Sequence, residues 1–356
     1  MKYYRFLLLN FSIFCSLFAS ENFTISNNNN IESTVSFNIG DFSFSQEEGY
    51  SKINSNAKVT LDNIGEPELP TYGFNYAVDR NKEYTVSFRV NSFEIHENIN
   101  IQPYQDVVDK NALVKNNNLY NSSNTYPEQN LVSSRKSIRG NDLLGVQLIP
   151  FEYNFESQTL KVFTSVDIII TESGNRNNVS DTPRSRVFEK IYNDFVINEH
   201  DYNDSRSYQD PSILYIMEEY NNTYSPLIEP LLEWRRKQGY EVTVIDRDDI
   251  NGSFNTSNIK DYIEDAYDNW DNPPEFVCLV GDANGSIAIP TYNVGGGGGW
   301  SGAYGESDYP YTLLEGNDNL PEMIIGRMSV RSTSELVTVV NKIIGYEKNY
   351  SGSNTW

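Results

Sequence analysis

From Pro211 onward the apolar residues fall into short continuous runs that alternate with stretches of helical spacing, and few folds accommodate that order. Ile213 to Met217 is one such run. Tyr224 to Gln238 then carries Leu227, Leu231 and Trp234 at helical spacing before Gly239 ends it. Tyr240 to Ile245 is a second run. Ser257 is placed to cap a helix over about Asn258 to Asn269, with Ile259, Ile263 and Tyr267 on one face. Pro273-Pro274 stops that helix, and Phe276 to Val280 follows as a third run. Met323 to Ile325 and a helix over about Ser334 to Tyr346, capped by Ser332 or Ser334, complete the series. The alternation predicts right-handed crossovers and a mostly parallel sheet with helices on its faces.

Ligands of open α/β sheets gather beyond the carboxyl ends of the strands. Two runs end there in Gly281-Asp282 and Gly326-Arg327, and Asp282, Asp308, Glu315 and Asp318 bring acidic oxygen to the same stretch. Carboxylates with nearby carbonyls suit a hard cation, so Asp282, Asp308 and Asp318 are candidate calcium ligands; a solvated acidic rim is the plainer expectation. Their spacing is not that of an EF-hand. The glycine run Gly295 to Gly299 invites a phosphate-loop reading, but no Lys-Ser or Lys-Thr follows it and no apolar helix opens behind it. Glu218-Glu219 stand where a dinucleotide fingerprint would place glycines after the first strand.

Nucleophilic catalysis needs a thiol or hydroxyl with an imidazole in reach. The sequence holds two histidines, His96 and His200, neither in the α/β region, and Cys278 stands inside an apolar run where thiols are packed and inert. No dyad is expected within this chain.

Upstream the period is two. Tyr84, Val86, Phe88 and Val90 alternate with polar residues, and Gly145 to Tyr153 and Leu160 to Thr171 are expected to pair as a hairpin across the turn-rich Asn154 to Gln158. No helical period precedes Ser173, so residues 21–173 are expected to form an all-β, sandwich-like domain. Residues 174–210 are polar and turn-rich and read as a linker, in which Arg184, Arg186 and Arg206 are candidate processing sites. Residues 211–356 form the α/β region. The first 20 residues, with Lys2 and Arg5 before an apolar core and Ala19-Ser20 behind it, are expected to be a signal peptide, leaving no membrane span after its removal. Cys278 is then the lone cysteine, so no disulfide framework is expected. With 27 basic against 49 acidic residues the formal charge is −22, which disfavours nucleic acid and anionic lipid as partners.

Ser212-Ile-Leu-Tyr-Ile216, Pro230-Leu-Leu-Glu-Trp-Arg-Arg-Lys-Gln-Gly239, Glu241-Val-Thr-Val244, Ile259-Lys-Asp-Tyr-Ile263, Pro274-Glu-Phe-Val-Cys-Leu-Val-Gly-Asp282, Ser307-Asp-Tyr309, Gly316-Asn-Asp318 and Ile325-Gly-Arg327 occur in the order in which similar motifs open the gingipain-like cysteine peptidases, family C25. The β region, with Gly65-Glu-Pro-Glu-Leu-Pro70 and Gly145 to Thr171, resembles that family's propeptide. The resemblance implies a secreted or cell-surface zymogen with a caspase-like α/β domain, incomplete here, that acts on proteins or peptides. It also implies an intramolecular propeptide, calcium as a structural ion and no cofactor for the chemistry. The family's catalytic histidine and cysteine follow the matched region, so they are expected beyond Trp356 and this chain alone is expected to be inactive. Asp282, Asp308 and Arg327 fall on motif positions and are expected to serve structure or calcium. A C25-type sortase working with the type IX secretion machinery, and a non-catalytic secreted binding or surface protein, are the alternatives.

Overall fold

The structure, a computed structural model, describes residues 21–29, 31–61, 63–105, 113–177, 181–198, 205–294 and 305–349. The expected signal peptide, His200, the Gly295 to Gly299 run and the residues after 349 lie outside them. The chain divides into two compact units, one of Met1–Lys136, Asp142–Val179 and Tyr192–Tyr202, the other of Ser137–Asn141, Ser180–Ile191 and Asn203–Trp356. This differs from the division expected at residues 173 and 211, because two short stretches of the upstream sequence cluster with the α/β region.

The first unit is built from β1 (Phe23–Asn28), β2 (Glu32–Asn38), β3 (Ser43–Glu47), β4 (Tyr50–Asn54), β5 (Val59–Thr60), β6 (Pro70–Ala77) and β7 (Lys82–His96). After the single-turn α1 (Asn117–Tyr120) come β8 (Thr125–Tyr126), β9 (Leu131–Ile138), β10 (Asn141–Leu148), β11 (Phe151–Asn154) and β12 (Thr159–Asn175). One sheet runs β1-β2-β12-β11-β8, with β7 also paired to β12, and a second runs β5-β6-β10-β9. Side chains of both sheets meet in a single apolar core, Phe37, Val166 and Ile168 from the first with Tyr72, Phe74 and Val146 from the second, which is the expected sandwich. The alternating strand is β7, where Val86, Phe88 and Val90 stand opposite Ile170, Ile168 and Val166. The expected hairpin is shorter than Gly145 to Tyr153: β10 pairs with β6 and only β11 pairs with β12. Pro150 lies between β10 and β11, and a residue without an N–H cannot continue a central ladder, so the chain changes sheets there.

The stretch expected to be a linker contains α2 (Arg186–Phe195). Ser185 accepts the Phe188 N–H as its cap, and Phe188 and Tyr192, one turn apart, are buried. The Asn- and Arg-rich flanks conceal that short apolar stripe in the sequence.

In the second unit the alternation is realised as β13 (Ser212–Met217), α3 (Ser225–Lys237), β14 (Glu241–Ile245), α4 (Thr256–Asn269), β15 (Phe276–Val280), the short pair β16 (Tyr292–Val294) and β17 (Gly305–Ser307), then β18 (Ile324–Met328) and α5 (Thr333–Asn349). The sheet order is β14-β13-β15-β18, with every pairing parallel. Helices α3 and α5 cover one face over Ile213, Tyr215 and Met217, and α4 covers the other over Leu214, Ile216 and Leu279. The Glu347 carboxylate accepts from Trp234 and both terminal nitrogens of Arg235, tying α5 to α3. Asn255, rather than Ser257, caps α4, and Ser332 accepts the Glu335 N–H at the start of α5. Among the described residues no helix is long and apolar enough to cross a membrane.

Candidate functional site

The carboxyl edge of the parallel sheet is shaped by the turn after β15. The Gly281 N–H donates to Met328 O and the Asp282 N–H to Val330 O, which carries the β15–β18 pairing past the strand ends. The loop then folds back so that Ile289 N–H reaches Asp282 O at 2.9 Å. Gly281 has φ of 156°, and a Cβ there would stand 2.0 Å from Ile287 O, so only glycine admits this loop.

Arg327, in β18, is the keystone of that edge. Its Nε and Nη2 donate to the two oxygens of Asp308 at 2.8 and 2.7 Å, and Nη1 donates to Gly281 O and Ile289 O at 3.0 and 2.9 Å. One planar fork therefore joins three segments, which a lysine ammonium could not reproduce. Asp282 accepts its neighbour's amide, Ala283 N–H, and the Nε of Arg331. The Arg331 contact, followed by that amide, holds the Asp282 carboxyl below the usual carboxylate range.

The other acids belong elsewhere. Asp318 accepts the amides of Ser137 and Leu320, at 2.9 and 2.7 Å. Glu315 accepts from Ser137 Oγ, Gly140 N–H and Tyr267 OH. Glu322, just ahead of β18, is fully buried and takes the Leu314 N–H at 2.8 Å. Burial pushes its carboxyl up to about 8, with Glu315 and Asp318 adding to the rise and the amide contacts opposing it. Asp282, Asp308 and Asp318 thus do not converge, and among the described residues no group of three or more His, Cys, Asp or Glu is placed to hold a metal ion. Calcium takes six to eight oxygens, roughly, whereas two of these acids are committed to guanidinium groups. The donor set does not fit the ion.

Cys278 lies in β15 between Tyr215 and Gly326 of the flanking strands. Burial pushes its thiol up to about 12, far from the range of a nucleophile at neutral pH. His96, at the end of β7 in the first unit, packs edge-on against Phe42 and Phe44. Of the candidate processing sites, Arg184 pairs with Glu189 and lies over the Tyr208 ring, Arg186 lies over the same ring at 4.2 Å, and Arg206 donates to Thr182 O and Asn141. The sequence pointed to Arg327 but not to its partner set, and it missed Arg331, Glu322 and the buried Arg139. The one available signal for Arg139 was an Arg-Gly dipeptide between two β runs.

The chain matches the model for peptidase family C25 over residues 206–356 and the Propeptide_C25 model over residues 32–206. Gingipain R1 of Porphyromonas gingivalis is 24% identical over 309 residues, covering 84% of this chain and 30% of the relative. Gingipain R2 of strain W83 is 24% identical over 312 residues, covering 84% of this chain and 40% of the relative. The chain therefore spans well under half the length of these curated relatives. A solved complex of the RgpB pro- and mature domains from P. gingivalis aligns with a TM-score of 0.44 at 20% identity, covering 51% of this chain and 98% of that one.

Proposed function

We propose that this chain, which matches the peptidase family C25 model over residues 206–356 and the Propeptide_C25 model over residues 32–206, is the leading part of a secreted gingipain-like cysteine endopeptidase precursor, a propeptide followed by the opening of its peptidase domain. The two family matches meet at residue 206 and together run from residue 32 to residue 356, which supports that order. In the whole protein a thiolate attacks the peptide carbonyl to give a thioester and release the amine, and water then hydrolyses the thioester, with an imidazole moving the protons. The thiol and imidazole are assigned to sequence beyond Trp356. Cys278 carries that assignment by elimination, since burial holds it as a thiol inside the sheet. The carboxyl edge around Gly281 and Arg327 is a scaffold for the chemistry rather than its source.

The test is thiol labelling of the complete gene product with iodoacetamide at pH 7. Inactivation is expected to follow modification of a cysteine C-terminal to residue 356, with Cys278 unlabelled and Cys278→Ala retaining activity. Loss of activity that tracks modification of Cys278 would refute the assignment.

A further inference from the structure

Between β9 and β10 the chain turns on two residues, Arg139 at φ 48° and Gly140 at φ 68°. A tight hairpin with both central residues left-handed calls for Asn-Gly, Asp-Gly or Gly-Gly. An arginine in that conformation is strained, and a side chain held at such a site invites a functional explanation.

The side chain supplies one. Arg139 is 1% exposed and is the largest of the fully buried side chains. Residues 137–141 belong to the second unit, and within it Arg139 reaches the amino-terminal edge of the parallel sheet. Nη1 donates to Pro274 O at 3.0 Å and Glu322 O at 2.7 Å, and Nη2 donates to Pro273 O at 3.0 Å and Gln209 Oε1 at 2.7 Å. The two terminal nitrogens thus make four hydrogen bonds, while Nε has no hydrogen-bond partner among the described residues. The rings of Phe188 and Tyr267 lie 5.2 and 5.4 Å from the guanidinium carbon.

The acceptors are themselves fixed. Gln209 Nε2 and Ser212 Oγ both donate to Pro273 O, and Ser185 Oγ holds Glu275. Glu275, Glu315 and Glu322 face the site, and one oxygen each of Glu275 and Glu322 has no hydrogen-bond partner among the described residues. Burial lowers the Arg139 guanidinium's pKa, with Tyr267, Glu275, Glu315 and Glu322 opposing that fall, so charge alone does not select the side chain; the layout of carbonyls favours a flat group with paired N–H groups. Arg139 and Gly140 lie in the stretch matched by the propeptide model, while the three carbonyls and Gln209 lie in the stretch matched by the peptidase model.

We propose that this edge is a guanidinium-recognition site: it selects an arginine carried on a tight turn, Arg139 in this chain, and it takes a free guanidine when that side chain is removed. The proposal does not depend on the proteolytic activity inferred above.

Hydrogen exchange on the full chain tests it, with Arg139→Gly, whose backbone suits the left-handed turn, and Arg139→Lys. Both variants are expected to exchange the Ser137 and Gly140 amides at least about tenfold faster than the native chain, a change of about 1.4 kcal/mol. Millimolar agmatine is expected to slow exchange around Glu275 and Glu322 in Arg139→Gly and to leave the native chain unchanged, whereas n-butylamine protects neither. Native-like exchange in Arg139→Lys, no protection by agmatine, or equal protection by n-butylamine overturns the proposal. If Arg139→Gly does not fold, the thermal midpoint of Arg139→Lys decides: a rise with agmatine and not with n-butylamine supports the site, and no rise refutes it.

Discussion

At the carboxyl ends of β15 and β18 the acids Asp282 and Asp308 are each met by a guanidinium, whereas at the amino ends Glu275 and Glu322 are buried with one oxygen apiece lacking a hydrogen bond among the described residues. The arginine that enters the amino edge spends its four terminal hydrogens on carbonyl and amide oxygens rather than on those carboxylates. The same sheet thus carries ion pairs at one end and, at the other, two buried carboxyls of which Glu322 has its pKa raised by desolvation. Ion pairs near solvent are insensitive to modest pH change, but a buried carboxyl shifts its proton affinity instead. The carboxyl edge should accordingly respond to changes of shape, and the amino edge to changes of pH.

The largest effect is expected from shape. Gly281→Ala places a methyl carbon 2.0 Å from Ile287 O and 3.0 Å from Ile289 Cγ1, and neither contact is with the free end of a flexible side chain. The loop must leave its path, taking with it the carbonyls of Gly281 and Ile289 that Arg327 uses. A loss of more than about 4 kcal/mol is expected, among the exceptional values for a single substitution. Urea unfolding of the second unit's transition measures it; a loss below about 1 kcal/mol would show that the edge is not held by this close approach.

The next effect sharpens the contrast through pH. The Glu322 carboxyl is raised to about 8 from an ordinary value of 4.5. Between those values the folded chain holds a proton that the unfolded chain has released, so stability falls as pH rises through this window. The contribution is fully present below about pH 4.5 and lost above about pH 8. The slope for one proton is at most about 1.4 kcal/mol per pH unit. Glu322→Gln keeps the shape and the acceptor for Leu314 N–H but removes the proton exchange. The difference in unfolding midpoint between native chain and variant is expected to widen from pH 5 to pH 8 in favour of the variant. A difference that stays constant with pH would mean that Glu322 is ionised in the folded chain.

What could be foreseen divides along the same line. The parallel sheet was legible because buried strands require continuous apolar runs, as in Ser212–Met217, and helices beside them require the spacing seen at Ile259, Ile263 and Tyr267. The carboxyl edge was legible in part, since Gly281-Asp282 and Gly326-Arg327 follow such runs directly. The split of the acids was not, because Asp282, Asp308, Glu315 and Asp318 look alike in sequence and differ only in which distant group reaches them. Arg139 meets Pro274 O across a separation of 135 residues, and no local pattern carries that information. Helix α2 escaped notice for another reason: Phe188 and Tyr192 are too few to stand out among polar neighbours.

The smallest effect tests whether both ion pairs of the carboxyl edge matter equally. Arg327 is mostly enclosed, its side chain 12% exposed, whereas Arg331 is 67% exposed. A pair in water gains little from its Coulomb attraction and loses side-chain freedom to form. Arg331→Ala should therefore leave the thermal midpoint essentially unchanged. It should still release the Asp282 carboxyl toward the usual range, because the Arg331 contact is the leading cause of its depression. The sign follows: in the native chain the stabilisation tied to Asp282 is present above its unfolded pKa and lost as pH falls through the lower folded value, and in Arg331→Ala that acid-side loss shrinks. Titration of the Asp282 carboxyl by carbon-detected NMR reads the shift directly. A carboxyl that titrates identically in both chains would assign the depression to the Ala283 amide instead, and Asp282 would then be a turn-bracing residue independent of its arginine.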